Sequence, residues 1–157
     1  MVDECVVSAG SECFSTIDAS SRIELMVDSL IWDNERLLSR IAQDLSLSDS
    51  KAREAFVECV KFLYLHKLKP GSYTPSKLVD EVWHIFLLFT RSYQNFCAVF
   101  IVRFIHHEPG IEEEGGKFIK QYDLTLLALQ EFYGEPNCEF WPQSVSNMSL
   151  CGSCESN

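Results

Sequence analysis

Asp80 and His84 stand four residues apart in the stretch LVDEVWHIFLLFT, so a helix here sets a carboxylate and an imidazole on one face. Such a pair can share a metal ion, or the carboxylate can hold the ring's second N–H and fix its tautomer. Cys97 follows on the next apolar run, and His106 and His107 close that run as RFIHHEPG. Neutral imidazole and thiolate suit zinc or iron, and three or four such groups make a site. The expected metal set is therefore His84, Cys97, His106 and His107, with Asp80 as a ligand or an outer partner. Zinc is the first assignment and iron the second. The simpler account makes these residues core: Trp83, Phe86, Tyr93, Phe96 and Phe100 are buried aromatics on any reading, and Cys59 on a helix stripe behaves as a small hydrophobe. A Cys97–His84 nucleophile–base pair is disfavoured, because a thiol in apolar company keeps its proton.

A second group of thiols lies near the C-terminus. Cys151 and Cys154 form a C-x-x-C, and Cys138 precedes them in EPNCEFWP. A lone C-x-x-C is a weak zinc signal, and the strand–helix–strand context of a thioredoxin-like motif is missing. These three thiols are incidental to a polar tail, or they complete or cap the central site.

The elements that must position these groups read as helices. Ile23, Val27, Leu30, Leu37, Leu38, Ile41 and Leu45 fall near one face of a helix. SLSDS breaks it, and Ser48 is a natural cap for a second helix carrying Ala52, Phe56, Cys59, Val60 and Leu63, which ends before Pro70–Gly71. Thr74 can cap a third helix with Pro75 in its first turn. The apolar run from Leu78 to Phe104 is too long for one typical helix, and FTRSY is its expected joint, with a fourth helix from about Ser92 to Phe104. HHEPGIEEEGG reads as a loop, and a last helix ends at Gly134. The expectation is an all-α, single-domain helical bundle of four to six helices over residues 20–142. A flexible arm over residues 1–19 precedes it, and a flexible Cys-bearing C-terminal tail over residues 143–157 follows.

Length and composition agree with one globular domain: 157 residues, 46% of them hydrophobic. The net charge is −10, and the densest basic cluster, KFLYLHKLK, is short, so a nucleic-acid partner is disfavoured. No segment approaches the ~20 apolar residues of a membrane helix, and the N-terminus lacks the pattern of a signal peptide. Seven cysteines without a secretion signal suggest reduced thiols and a cytoplasmic location.

Taken together, KFLYL, PSKLVDEVWHIFLLFTRSYQNFC and RFIHHEP resemble a group of small bacterial proteins of unassigned activity. These are in turn similar to the conserved region of plant glycine-rich-domain proteins, with their D-x-x-W-H signature. The resemblance runs from about Leu37 to Trp141, with FYGEPNCEFWP as the closing segment. It implies signature roles for Asp80, Trp83, His84, Tyr93, Cys97, His106 and His107. Two positions depart from the pattern: a second histidine is expected near Leu88, and glycine is common where Val102 stands. The resemblance carries no activity. Three functions remain open: a metal centre of structural or hydrolytic role, a metal-free acidic protein–protein interaction module, and, more weakly, a thiol-redox sensor built on the tail.

Overall fold

The computed structural model describes residues 18–107 and 115–143, which form six α-helices and one π turn, with no strand among the described residues. The all-α bundle expected from the sequence is the fold observed. The arm and tail expected at the two ends fall almost entirely outside the described residues.

The first apolar stripe folds as two helices, not one: α1 (Ala19–Asp33) and α2 (Arg36–Asp44). Asn34 makes the break. Its N–H closes α1 on Leu30 and Ile31 carbonyls, while its side-chain oxygen accepts the Arg36 N–H at 3.3 Å. A short polar side chain that bonds nearby backbone competes with helix continuation, and apolar periodicity does not register that competition. The α3 helix (Asp49–Leu68) starts where the sequence predicts, with Ser48 Oγ accepting the Lys51 N–H at 3.3 Å. It is the central post: Ala52, Ala55, Phe56, Cys59, Val60, Phe62, Leu63 and Leu65 are buried around it, and α1, α2, α4 and α6 pack on it.

The α4 helix (Lys77–Leu88) is capped by Ser76, not by Thr74. Ser76 Oγ accepts from Val79 N–H, whereas Thr74 is engaged elsewhere, its N–H donating to Thr125 Oγ1 and its hydroxyl bonding Gln121. After a break at Phe89 comes α5 (Thr90–Phe96), which runs on as a π turn over Cys97–Ile101. There the Val102 N–H reaches back five residues to the Cys97 carbonyl at 2.8 Å. The expected helix to Phe104 thus stops at Ile101, because Val102 turns left-handed with φ +69°. The α6 helix (Gly115–Tyr133) ends on Gly134 at φ +82°, the glycine stop the sequence predicts.

Val102 sits in left-handed backbone, a conformation that favours glycine. Its side chain is 75% exposed, so burial offers nothing in return for the crowding of a β-branched residue there. A left-handed L-residue costs about 1–2 kcal/mol, and glycine returns part of that as extra freedom of the unfolded chain. Val102→Gly should therefore raise the free energy of unfolding by up to ~1 kcal/mol in urea titrations. A loss of stability would show that the valine side chain holds the turn.

The segment after α6 closes the bundle. Phe140 and Trp141 are buried, Tyr122 donates its hydroxyl to the Pro142 carbonyl at 2.7 Å, and Trp141 Nε1 donates to Glu58 Oε2 at 2.7 Å.

Candidate metal centre

The α4 sequence starts from Ser76, so Asp80 falls in its first turn and His84 one turn later on the same face. Apolar positions Val79, Val82, Trp83, Ile85 and Phe86 turn inward, which fixes Asp80 and His84 at the edge of the buried face. His107 arrives from the other side. The left-handed turn at Val102 ends the π turn, and residues 103–107 run back along the bundle.

Three interactions hold that returning segment. Tyr93 donates its hydroxyl to the Ile105 carbonyl at 2.6 Å and accepts the Trp83 indole N–H at 3.2 Å. Arg103 donates to the His66 carbonyl at 2.6 Å. The Trp83 ring then packs edge-on against His107, with centroids 4.5 Å apart. Trp83 and Tyr93 thus do more than fill the core, the role their apolar setting suggested. They tie the His107 segment to α4 through a backbone carbonyl, which no side-chain pattern announces.

The result is a cluster of Asp80, His84 and His107, whose donor atoms all lie within 4.8 Å of one another. His107 Nε2 sits 2.8 Å from Asp80 Oδ1, His84 Nδ1 sits 3.4 Å from Asp80 Oδ2, and the two imidazole centroids are 4.1 Å apart. The cluster grades from interior to solvent, with side-chain exposures of 11% for His107, 34% for Asp80 and 52% for His84. His84 Nδ1 is also 2.8 Å from the Asp80 carbonyl oxygen. A carbonyl can only accept, so Nδ1 carries the proton and Nε2 keeps its lone pair. That is the outer-partner arrangement seen around metal-binding histidines. The carboxylate likewise accepts from His107 Nε2, so an ion entering there displaces one proton. A tetrahedral ion at ~2.1 Å keeps its donors about 3.4 Å apart, and these three already lie within 4.8 Å of one another. Two imidazoles and a carboxylate fit a divalent transition metal and leave at least one coordination position open.

The structure does not bring every sequence candidate to this cluster. His106 is exposed and packs at a tilt against Phe104, with centroids 4.8 Å apart, so the two adjacent histidines part company. Cys97 is buried on the π turn. Burial pushes its thiol up, opposed by the Ile105 amide, and it lies outside the cluster. Cys59 is fully buried, with its thiol pushed far up by burial and, secondarily, by the Asp80 charge. Cys138 is exposed beside Glu139, which pairs with Lys51 near the start of α3. Cys151 and Cys154 lie outside the described residues.

Replacing Tyr93 by phenylalanine tests the tie directly. The Ile105 carbonyl and Trp83 N–H lose their partner inside the core, at a cost of roughly 1–3 kcal/mol. The same change should loosen His107 and weaken metal binding by about 10–100-fold, the usual penalty for removing an outer support. Urea unfolding and metal titration of the one variant read both effects, and unchanged metal affinity would detach Tyr93 from the site.

No curated protein and no solved structure matches the chain. The UCP032817-like family model matches residues 24–114, a span containing the whole cluster together with Trp83 and Tyr93, and the family has no assigned activity. With more than half of its 157 residues matched, the chain belongs to the UCP032817-like family.

Proposed function

We propose that this protein binds one divalent transition metal through Asp80, His84 and His107, with zinc the first assignment and iron the second. The observation that carries this reading is the convergence of three donor atoms from α4 and the returning segment, with the His84 tautomer set by a backbone carbonyl. Three protein donors with an exposed outer edge leave a place for water or a substrate, the arrangement of hydrolytic zinc rather than of fully enclosed structural zinc. The metal also staples the segment after the π turn to α4, which gives it a structural role in the same position. The D-x-x-W-H resemblance to plant glycine-rich-domain proteins supports this assignment only through the signature residues that form or support the cluster. A cytoplasmic location rests on the seven cysteines, and the net charge of −10 disfavours nucleic acid.

The acidic interaction module stands as the second reading, favoured by Leu25 and Trp32, 61% and 87% exposed and seven residues apart on one face of α1. Stability with and without metal separates the two. Zinc at a hundred times its dissociation constant should stabilise the fold by ~2.7 kcal/mol, raising the melting temperature by roughly 10 °C, and a chelator should reverse it. Identical melting curves with zinc and with chelator would favour the metal-free module.

A further inference from the structure

The last helix carries a stripe that the bundle leaves uncovered. Thr125, Ala128 and Leu129 of α6 are buried, whereas Leu124 and Leu127 stand 54% and 62% exposed. Lys120 precedes this pair by four residues, Glu131 follows it by four, and both are exposed. The resulting 4–3–4 spacing sets all four side chains along one seam of the helix, with the apolar pair in the middle. The seam runs about 16 Å from its basic end to its acidic end. Lys120 makes no ion pair among the described residues. Glu131 holds the half-exposed Lys69 at 2.6 Å through Oε2, and a carboxylate accepts a second cation on its other oxygen.

We propose that two copies of this chain pair through the seam, α6 against α6, antiparallel about a two-fold axis. The order of residues along the seam selects this occupant. An antiparallel copy sets Lys120 opposite Glu131 of the second copy and Leu124 opposite Leu127 of the second copy, and the symmetry makes each contact twice. A parallel copy sets Lys on Lys and Glu on Glu, which repel. A foreign helix must carry the same pattern reversed, a demand that a second copy meets by itself. The net charge of −10 opposes association, so the pairing depends on the leucine centre and on the Lys–Glu contacts at its two ends. A contact this small lies below the standard interface size, which makes the dimer weak and reversible. The inference is independent of the metal reading, because α6 carries none of the three candidate ligands.

Sedimentation equilibrium of the full chain tests this between about 10 µM and about 1 mM, the range of a weak dimer. Reductant and chelator are present, so that neither disulfides nor a bridging metal joins two copies. The expected result is a reversible monomer–dimer equilibrium. Leu124→Glu with Leu127→Glu should abolish it and leave the helical circular dichroism unchanged, since both side chains are exposed. Lys120→Glu should weaken the dimer by about 10-fold, and adding Glu131→Lys should restore the parent's affinity. That rescue is the signature of antiparallel pairing, which a merely apolar surface does not give. If the charge swap fails to rescue, the orientation is wrong and the inference falls. A chain that stays monomeric to ~1 mM overturns it and leaves the seam to a partner of another kind. A dimer that survives the leucine changes but is lost in Leu25→Ser with Trp32→Ser lies on α1 and overturns it as well.

Discussion

Alanine at His107 will abolish stoichiometric metal binding at micromolar protein while leaving the bundle folded. The side chain is one of the three candidate donors and the least exposed of them. Loss of an outer partner alone costs 10–100-fold in metal affinity, and loss of a ligand should exceed that range. The fold should tolerate the change, because His107 packs on Trp83 at the edge of the core and its hydrogen bond to Asp80 is only partly buried. His106→Ala is the matched control, one residue away and facing solvent, and should bind metal as the parent does. Isothermal titration of both variants with zinc checks the contrast. Equal losses in the two would mean that the segment, and not the His107 ring, governs binding.

Trp141→Ala should destabilise the protein by about 3–5 kcal/mol, a large share of the stability of a domain this size. Trp141 is 1% exposed and fills the space between Phe62 and Tyr122. Its indole also donates to Glu58, a carboxylate nearly buried on α3 that pairs with Lys61 at 2.8 Å as well. Truncation thus opens a cavity and strips a buried acceptor of a partner at once. Trp141→Phe keeps most of the volume and should cost only about 1–3 kcal/mol, the part due to the lost N–H bond. Urea unfolding resolves the pair. A cost below ~1 kcal/mol for Trp141→Ala would show that the closing segment is peripheral.

The helical class was legible because apolar periodicity, the Ser48 cap and the Gly134 stop each follow from local chemistry. The boundaries that were not legible turn on competition between near-equal local options. Asn34 interrupts a continuous stripe through its own side chain, and Ser76 prevails over Thr74 because Thr125 and Gln121, far along the chain, take up Thr74. In the site, Asp80 and His84 were readable from helical spacing. His107 was readable as a residue type but not separable from His106, since only the turn at Val102 decides which ring faces α4. Cys97 has the chemistry of a ligand, but the π turn buries it at the Ile105 amide, away from the cluster.

A metal ion held by Asp80, His84 and His107 should accompany the protein through purification. Elemental analysis of untagged, freshly purified protein, side by side with an Asp80→Asn, His84→Ala, His107→Ala variant, tests it most directly. About one equivalent of zinc or iron is expected in the parent and essentially none in the variant, with both folded by circular dichroism. Equal metal in the two, or a parent that stays empty after zinc is supplied and excess removed, would contradict it.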